Sequence, residues 1–194
     1  MKIELSTITI LLVAASSLVL VSCGGAAPTS TTTAGSADTS PDVEPSSSGG
    51  NLTDFVLKDV NGRSHALTDY LGEKVILVSF WATWCEPCKK EMVQLQALFD
   101  EHKDSGLMIL SISMDEPETQ GDVRTYIKQR GYTFPVLLDT ETQVTNQLNP
   151  RRAAPFSLVI GKDEIIAWEH EGYVPGDEKE LEEAVIKALG STAP

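Results

Sequence analysis

The chain has 194 residues, with 28 acidic side chains against 15 basic ones and a formal net charge of −13. That balance argues against nucleic acid as a partner and disfavours adhesion to anionic lipid headgroups. Hydrophobic residues make up 41% of the chain, and the stretch of globular composition is long enough for about one domain.

The first segment carries Lys2 and then a mostly apolar run from Ile8 to Leu20. Such a run falls short of the roughly 20 residues a spanning helix needs, so residues 1–22 read as a signal peptide. Leu20-Val21-Ser22-Cys23 is similar to a bacterial lipobox, in which the cysteine is diacylated and becomes the first residue after cleavage. Cys23 is therefore the expected lipidation site. An uncleaved anchor helix and an ordinary secretory signal are the alternatives, and all three put the domain outside the cytoplasm. Residues 23–50 are Ser, Thr, Ala, Pro and Gly with hardly any large apolar side chain. Such a segment cannot bury enough surface to offset its ordering entropy and is expected to be a disordered tether.

The folded domain is expected over residues 51–190. Phe55-Val56-Leu57 and His65-Ala66-Leu67 flank Asn61-Gly62, which predicts a hairpin with a tight primed turn. Residues 67–72 should form a single helical turn. The β-branched and apolar run 74–80 predicts a buried strand. Beyond it, apolar residues at 92, 95, 98 and 99 mark a helical stripe. A second buried strand is expected at 107–113 and a helix at 118–130, ended by Gly131. Residues 136–139 read as a short strand and 141–148 as a short helix. Strands follow at 156–160 and 165–170, then an acidic amphipathic helix at 177–189 with Leu181, Val185, Ala188 and Leu189 inward. Strands alternating with helices and closed by a hairpin predict an α/β sandwich.

Chemistry concentrates in Trp81-Ala82-Thr83-Trp84-Cys85-Glu86-Pro87-Cys88, at the turn between the first buried strand and its helix. Two cysteines at this spacing can close a small disulfide ring and carry two electrons. Free N–H groups and the dipole at a helix N-terminus stabilise a thiolate, the reactive form. Half a zinc site is the competing reading, but a closed site needs four ligands. His65, His102 and His170 are scattered without ligand spacing, so no metal is expected and none of the three is given a role. Apart from Cys23, the chain keeps only this pair of cysteines, which suits an oxidising compartment.

The run from Phe80 to Glu91 resembles the active site of the TlpA/ResA-like thiol-disulfide oxidoreductases, which are membrane-tethered, extracytoplasmic thioredoxin-fold proteins. The likeness extends through Tyr132-Thr133-Phe134-Pro135-Val136-Leu137-Leu138-Asp139 to the Pro155 region and the last helix. It implies a thioredoxin-like fold with an added N-terminal β-hairpin and a central insert. It implies Cys85 as nucleophile and Cys88 as resolving thiol. Glu91 matches a glutamate that tunes the cysteines and can relay a proton. Pro155 matches the proline opposite the cysteine pair, preceded by a cis Ala154–Pro155 bond whose backbone can pair with an incoming chain. Glu86 and Pro87 lie between the thiols: proline suits a first helical turn, and Glu86 either opposes thiolate formation or favours the helix N-terminus. Trp84 is expected as a partly exposed substrate platform and Trp81 as core. Three departures stand out: Val93 replaces a helix-kinking proline, Arg151-Arg152-Ala153-Ala154 replaces a less charged run, and Phe156-Ser157 replaces small threonines.

The resemblance implies disulfide reduction on exported proteins such as apocytochrome c, with electrons from a membrane thiol-disulfide donor. Its location would be extracytoplasmic, lipid-anchored to a bacterial membrane. No cofactor is expected beyond the redox-active Cys85–Cys88 disulfide. Peroxide reduction is an alternative enzyme reading, and a copper-carrier or redox-sensing lipoprotein is a non-enzymatic one.

Overall fold

The computed structural model describes residues 52–190, so the predicted signal peptide, the tether and Cys23 lie outside the described residues. Along them run β1 (Val56–Asp59), β2 (Ser64–Ala66), β3 (Val75–Trp81), α1 (Glu86–His102) and β4 (Leu107–Ser113). There follow α2 (Gln120–Arg130), β5 (Val136–Leu138), α3 (Gln143–Leu148), β6 (Phe156–Ile160), β7 (Ile166–Glu171) and α4 (Glu178–Gly190). The strands form one sheet in the order β2-β1-β5-β4-β3-β6-β7. β3 pairs in parallel with β4, and β4 with β5, whereas β6, β7 and the β1–β2 hairpin are antiparallel additions.

β3 is buried along its whole length because both faces of the sheet are covered. Its odd-numbered Val75, Leu77 and Trp81 join a core built from α1, α2 and α4, including Met92, Leu95, Val123, Ile127, Leu181 and Val185. Its even-numbered Ile76, Val78 and Phe80 enter a second core with Leu67, Val144, Phe156 and Leu158. The period-2 alternation of a strand thus sends successive side chains into different cores. No helix among the described residues is long and apolar enough to cross a membrane.

The hairpin departs from the expected turn. Of Asn61 and Gly62, glycine alone takes a positive φ, 86°. The Gly62 N–H donates to the Asp59 carbonyl at 2.9 Å. The Asp59 carboxylate accepts from the N–H groups of Asn61 and Arg63 at 2.8 and 2.9 Å. That side-chain acceptor favours a three-residue turn with a glycine bulge over the two-residue primed turn. His65 is also tied in: it is buried, with Nδ1 2.6 Å from the Tyr70 hydroxyl and Nε2 3.4 Å from Asp59 Oδ2. The predicted helix at 118–130 divides into a 3₁₀ turn at Pro117–Thr119 and then α2. It ends as expected at Gly131, whose N–H returns to the Ile127 carbonyl at 2.9 Å.

Asp139, at the end of β5, holds the start of α3. Its carboxylate accepts from the backbone N–H groups of Val144 (3.3 Å) and Thr145 (2.7 Å) and from the Thr145 hydroxyl (2.7 Å). The residue is 1% exposed, so these bonds are shielded from bulk water. Asp139→Ala leaves three buried donors without a partner and should destabilise the fold by about 3 kcal/mol. A lowered urea midpoint with an unchanged slope would show it.

Candidate active site

β3 ends at Trp81, and α1 begins at Glu86, with the cysteine-bearing turn between them. That turn is clamped from β4. Asp115, 4% exposed, accepts from the Thr83 N–H at 2.9 Å, from the Thr83 hydroxyl and from the Ser113 hydroxyl at 2.9 Å. Met114 N–H donates to the Trp81 carbonyl at 2.8 Å, which fixes the other side of the loop.

Cys85 is the N-cap of α1, a position where Ser, Thr, Asp or Asn usually supplies an oxygen acceptor. Here the Cys85 sulfur accepts from the Cys88 N–H at 3.2 Å. An extra electron pair on that sulfur would meet free helix donors and the positive end of the dipole, the setting that lowers a thiol's pKa. Cys85 and Cys88 are joined as a disulfide; Cys85 is 4% exposed and Cys88 fully buried. Pro87 lies within the first turn, where its missing N–H costs nothing. Glu86 is exposed and pairs with Lys89 Nζ at 2.6 Å, which holds its carboxyl below the ordinary range and offsets its charge near Cys85. α1 continues without a break past Val93, which stands half exposed in place of the expected proline.

Glu91 lies one turn beyond Cys88 and is 4% exposed, although Lys89-Lys90-Glu91 reads as a charged surface run. Its carboxyl enters the layer between α1 and the sheet. Ser157 on β6 donates to Oε1 at 2.9 Å, and Ser79 on β3 donates to Oε2 at 3.4 Å. The two serines are direct partners in the β3–β6 ladder, so both hydroxyls leave the sheet on the same face. Burial pushes the Glu91 carboxyl up to about 7; the Ser157 and Ser79 hydrogen bonds oppose that rise, and the charge of Asp177 adds to it. A carboxyl poised there can accept or return a proton near neutrality.

The Ala154–Pro155 bond is cis. Ala154 packs against the core cluster that contains both cysteines, and the Pro155 carbonyl accepts from the Gly172 N–H at 2.8 Å. The approach to it is braced by Asn149, 3% exposed, whose side chain donates to the Ala153 carbonyl (2.8 Å) and accepts from the Ala153 N–H (3.0 Å). Trp84 is 68% exposed and lines a groove with Met114, Glu116, Thr119, Thr142 and Arg152, whereas Trp81 is fully buried. Arg152 lies in this groove wall, bonded to Asn146 Oδ1 at 3.1 Å, while Arg151 turns away to Glu171 at 2.9 Å.

The structure therefore gathers Cys85, Cys88 and Glu91 along the start of one helix and packs Ala154 against the core cluster that holds the cysteines, with Trp84 exposed in the turn just before Cys85. Sequence reasoning overlooked Ser79, Asp115, Asn149 and the role of Ser157. A lone serine inside the apolar run 74–80 was the available signal for Ser79. Asp115 and Asn149 lie in loops and carried no such mark.

Residues 49–169 match the AhpC/TSA family. The thiol-disulfide oxidoreductase ResA of Geobacillus thermodenitrificans is 41% identical over 98 residues, which are 50% of this chain and 55% of that protein. The ResA of Bacillus anthracis is 36% identical over 124 residues, 63% of this chain and 68% of that one. The chain thus spans little more than half the length of the first of these relatives. A Chlorobium tepidum structure described as a putative thiol:disulfide interchange protein DsbE superposes with a TM-score of 0.65 at 28% identity, covering 71% of this chain and 94% of that one. The fold is thioredoxin-like.

The Glu91 environment sets a pH dependence of stability. Its carboxyl is shifted from the ordinary 4.5 to about 7, so the folded state holds a proton that the unfolded chain releases between those values. That contribution is fully present below about 4.5 and is lost as pH rises through about 7, at a cost on the order of 3 kcal/mol. Glu91→Gln keeps an acceptor for a serine and removes the charge. In the oxidised protein it should raise the Tm at pH 8 and leave it nearly unchanged at pH 4.5, as read by thermal unfolding at both values.

Proposed function

The chain belongs to the AhpC/TSA family, among relatives named thiol-disulfide oxidoreductase ResA, and from that premise we propose that it exchanges disulfides through Cys85 and Cys88. The observation that carries this reading is the pair itself: an N-cap sulfur joined in a disulfide to the buried Cys88 sulfur one turn along, on a helix that also carries the buried carboxyl of Glu91. In the reduced form, the Cys85 thiolate attacks a substrate disulfide, forms a mixed disulfide and expels one substrate thiolate. Cys88 then attacks the Cys85 sulfur, closes the Cys85–Cys88 bond and releases the second thiolate. Two electrons pass to the substrate, and Glu91 takes the proton that Cys88 gives up. The backbone at Ala154, before the cis proline, offers an edge for the substrate chain, with Trp84 as an apolar platform beside the reacting sulfur.

We assign the reducing direction. Glu86, rather than a cation, stands between the cysteines, so beyond the helix terminus the dipeptide adds no positive charge to stabilise the Cys85 thiolate, and a strong oxidant depends on such stabilisation. Substrates would be exported proteins bearing a disulfide, with apocytochrome c the leading candidate on family resemblance, and a membrane thiol-disulfide donor would restore the dithiol. A lipid on Cys23 and the 23–50 tether would hold the domain at the outer side of the membrane.

Cys88→Ala should accumulate mixed disulfides through Cys85 in cells, and Cys85→Ala should abolish both trapping and disulfide reduction in vitro. Mass spectrometry of the trapped species identifies the substrate: c-type apocytochromes would support the specific reading, and a spread of exported proteins a general reductase. Steady peroxide turnover without a protein partner would instead make the chain a peroxide reductase.

A further inference from the structure

Glu91 also borders groups that the exchange chemistry has not used. A small cavity is lined by Glu91 and Gln94 of α1, Trp168 and His170 of β7, and Asp177 in the turn before α4. It has about 10 Å³ of space open to the centre of a water molecule, close to the room one water needs. His170 is the β7 partner of Ser157, the serine that donates to Glu91, so the ladder fixes its position relative to the carboxyl. Its ring stacks on Trp168, with centroids 5.6 Å apart and planes 13° from parallel. Its Nε2 lies 3.3 Å from Asp177 Oδ2, and both side chains reach partway to solvent, at 33% and 25% exposure. Asp177 is itself anchored, accepting from the Val174 N–H at 2.8 Å.

We propose that the Asp177–His170 pair, which lines this cavity together with the buried Glu91 carboxyl, biases the charge of that carboxyl and through it the pH at which the cysteine pair exchanges. The inference rests on the disulfide-exchange reading for its consequence but not for its geometry. An anionic Asp177 resists a second negative charge on Glu91; because Asp177 is partly open to solvent, this repulsion adds modestly to the larger effect of burial. His170 Nε2, facing Asp177 Oδ2 at 3.3 Å, can donate an N–H to that oxygen, draw on its charge and relieve the repulsion. The other ionisable groups around Glu91 are Cys88 along α1 and Tyr173 and Glu178 beyond β7; the Tyr173 hydroxyl is already engaged with Glu178 Oε2 at 3.0 Å. From the sheet, β3 and β6 present the non-titrating hydroxyls of Ser79 and Ser157. Asp177 and His170 are thus positioning residues: they act on Glu91 and touch no substrate.

The two members of the pair act in opposite directions, which separates this role from a structural one. Asp177→Asn, which keeps an oxygen for the Val174 N–H, should move the Glu91 titration midpoint down by about half a pH unit. His170→Ala removes the ring nitrogen that faces Asp177 Oδ2 and should move it up. The midpoint is read by carboxyl ¹³C NMR in the oxidised, intact protein, which needs no turnover. The pH profile of Cys85 alkylation in the reduced protein should shift in the same sense for each variant. Opposite NMR shifts with matching alkylation shifts support the proposal. An unmoved midpoint, or a shift of the same sign in both variants, overturns it. Opposite NMR shifts without any change in alkylation overturn the link to the cysteines while leaving disulfide exchange itself to be judged by the Cys85→Ala result.

Discussion

Complete burial of β3 is the constraint on which the rest of the structure hangs. A strand with no exposed residue needs covering on both faces and hydrogen-bonded neighbours on both edges. β4 satisfies one edge in parallel and β6 the other in antiparallel, while α1, α2 and α4 cover one face and α3 with the Leu67 turn covers the other. A strand held so firmly is a rigid base for the turn at its C-terminal end. There the chain leaves the sheet and bends into a helix, so backbone donors and the Cys85 sulfur converge in one place. Asp115 ties this turn to the adjacent strand, giving the cysteines an anchored rather than a mobile loop.

Within that apolar frame, one polar triplet stands out. Ser79 and Ser157 face each other across the central ladder and share a carboxyl that arrives from the helix above. Two hydroxyl donors do not fully replace the hydration that a carboxylate loses on burial, which is why Glu91 titrates near neutrality. The resulting cost to stability, on the order of 3 kcal/mol above neutral pH, is a sizeable part of a domain's margin. A leucine in its place would pack without that cost, so Glu91 is better explained by chemistry beside the thiols than by folding.

Much of the fold is legible in the sequence because hydrophobic period is a local property. The runs at 75–81, 107–113 and 156–160 contain enough apolar and β-branched residues to announce buried strands, and Gly131 announces a helix end. The Asn61-Gly62 turn differs from its local reading because the deciding group is a side chain two residues earlier: Asp59 supplies the acceptor that selects a three-residue loop. Glu91 is ambiguous in sequence for a related reason. Its neighbours Lys89 and Lys90 suggest a solvated helix face, and only the placement of α1 over β3 and β6 turns the carboxyl inward. His170 carries no signal, because its two partners, Asp177 and the stacked Trp168, meet it through the β7 register and the following loop.

The cysteine pair, the strand-to-helix turn that bears it and the order of secondary elements can be read from the chain alone, because each depends on spacing within a dozen residues. Which polar groups meet depends instead on how distant segments pack. Ser79 and Ser157 lie 12 and 66 residues from Glu91 along the chain, and only sheet pairing brings the three to hydrogen-bonding distance. A thiol pair can be recognised from local spacing, but the proton economy beneath it is a matter of long-range burial, which no local pattern records.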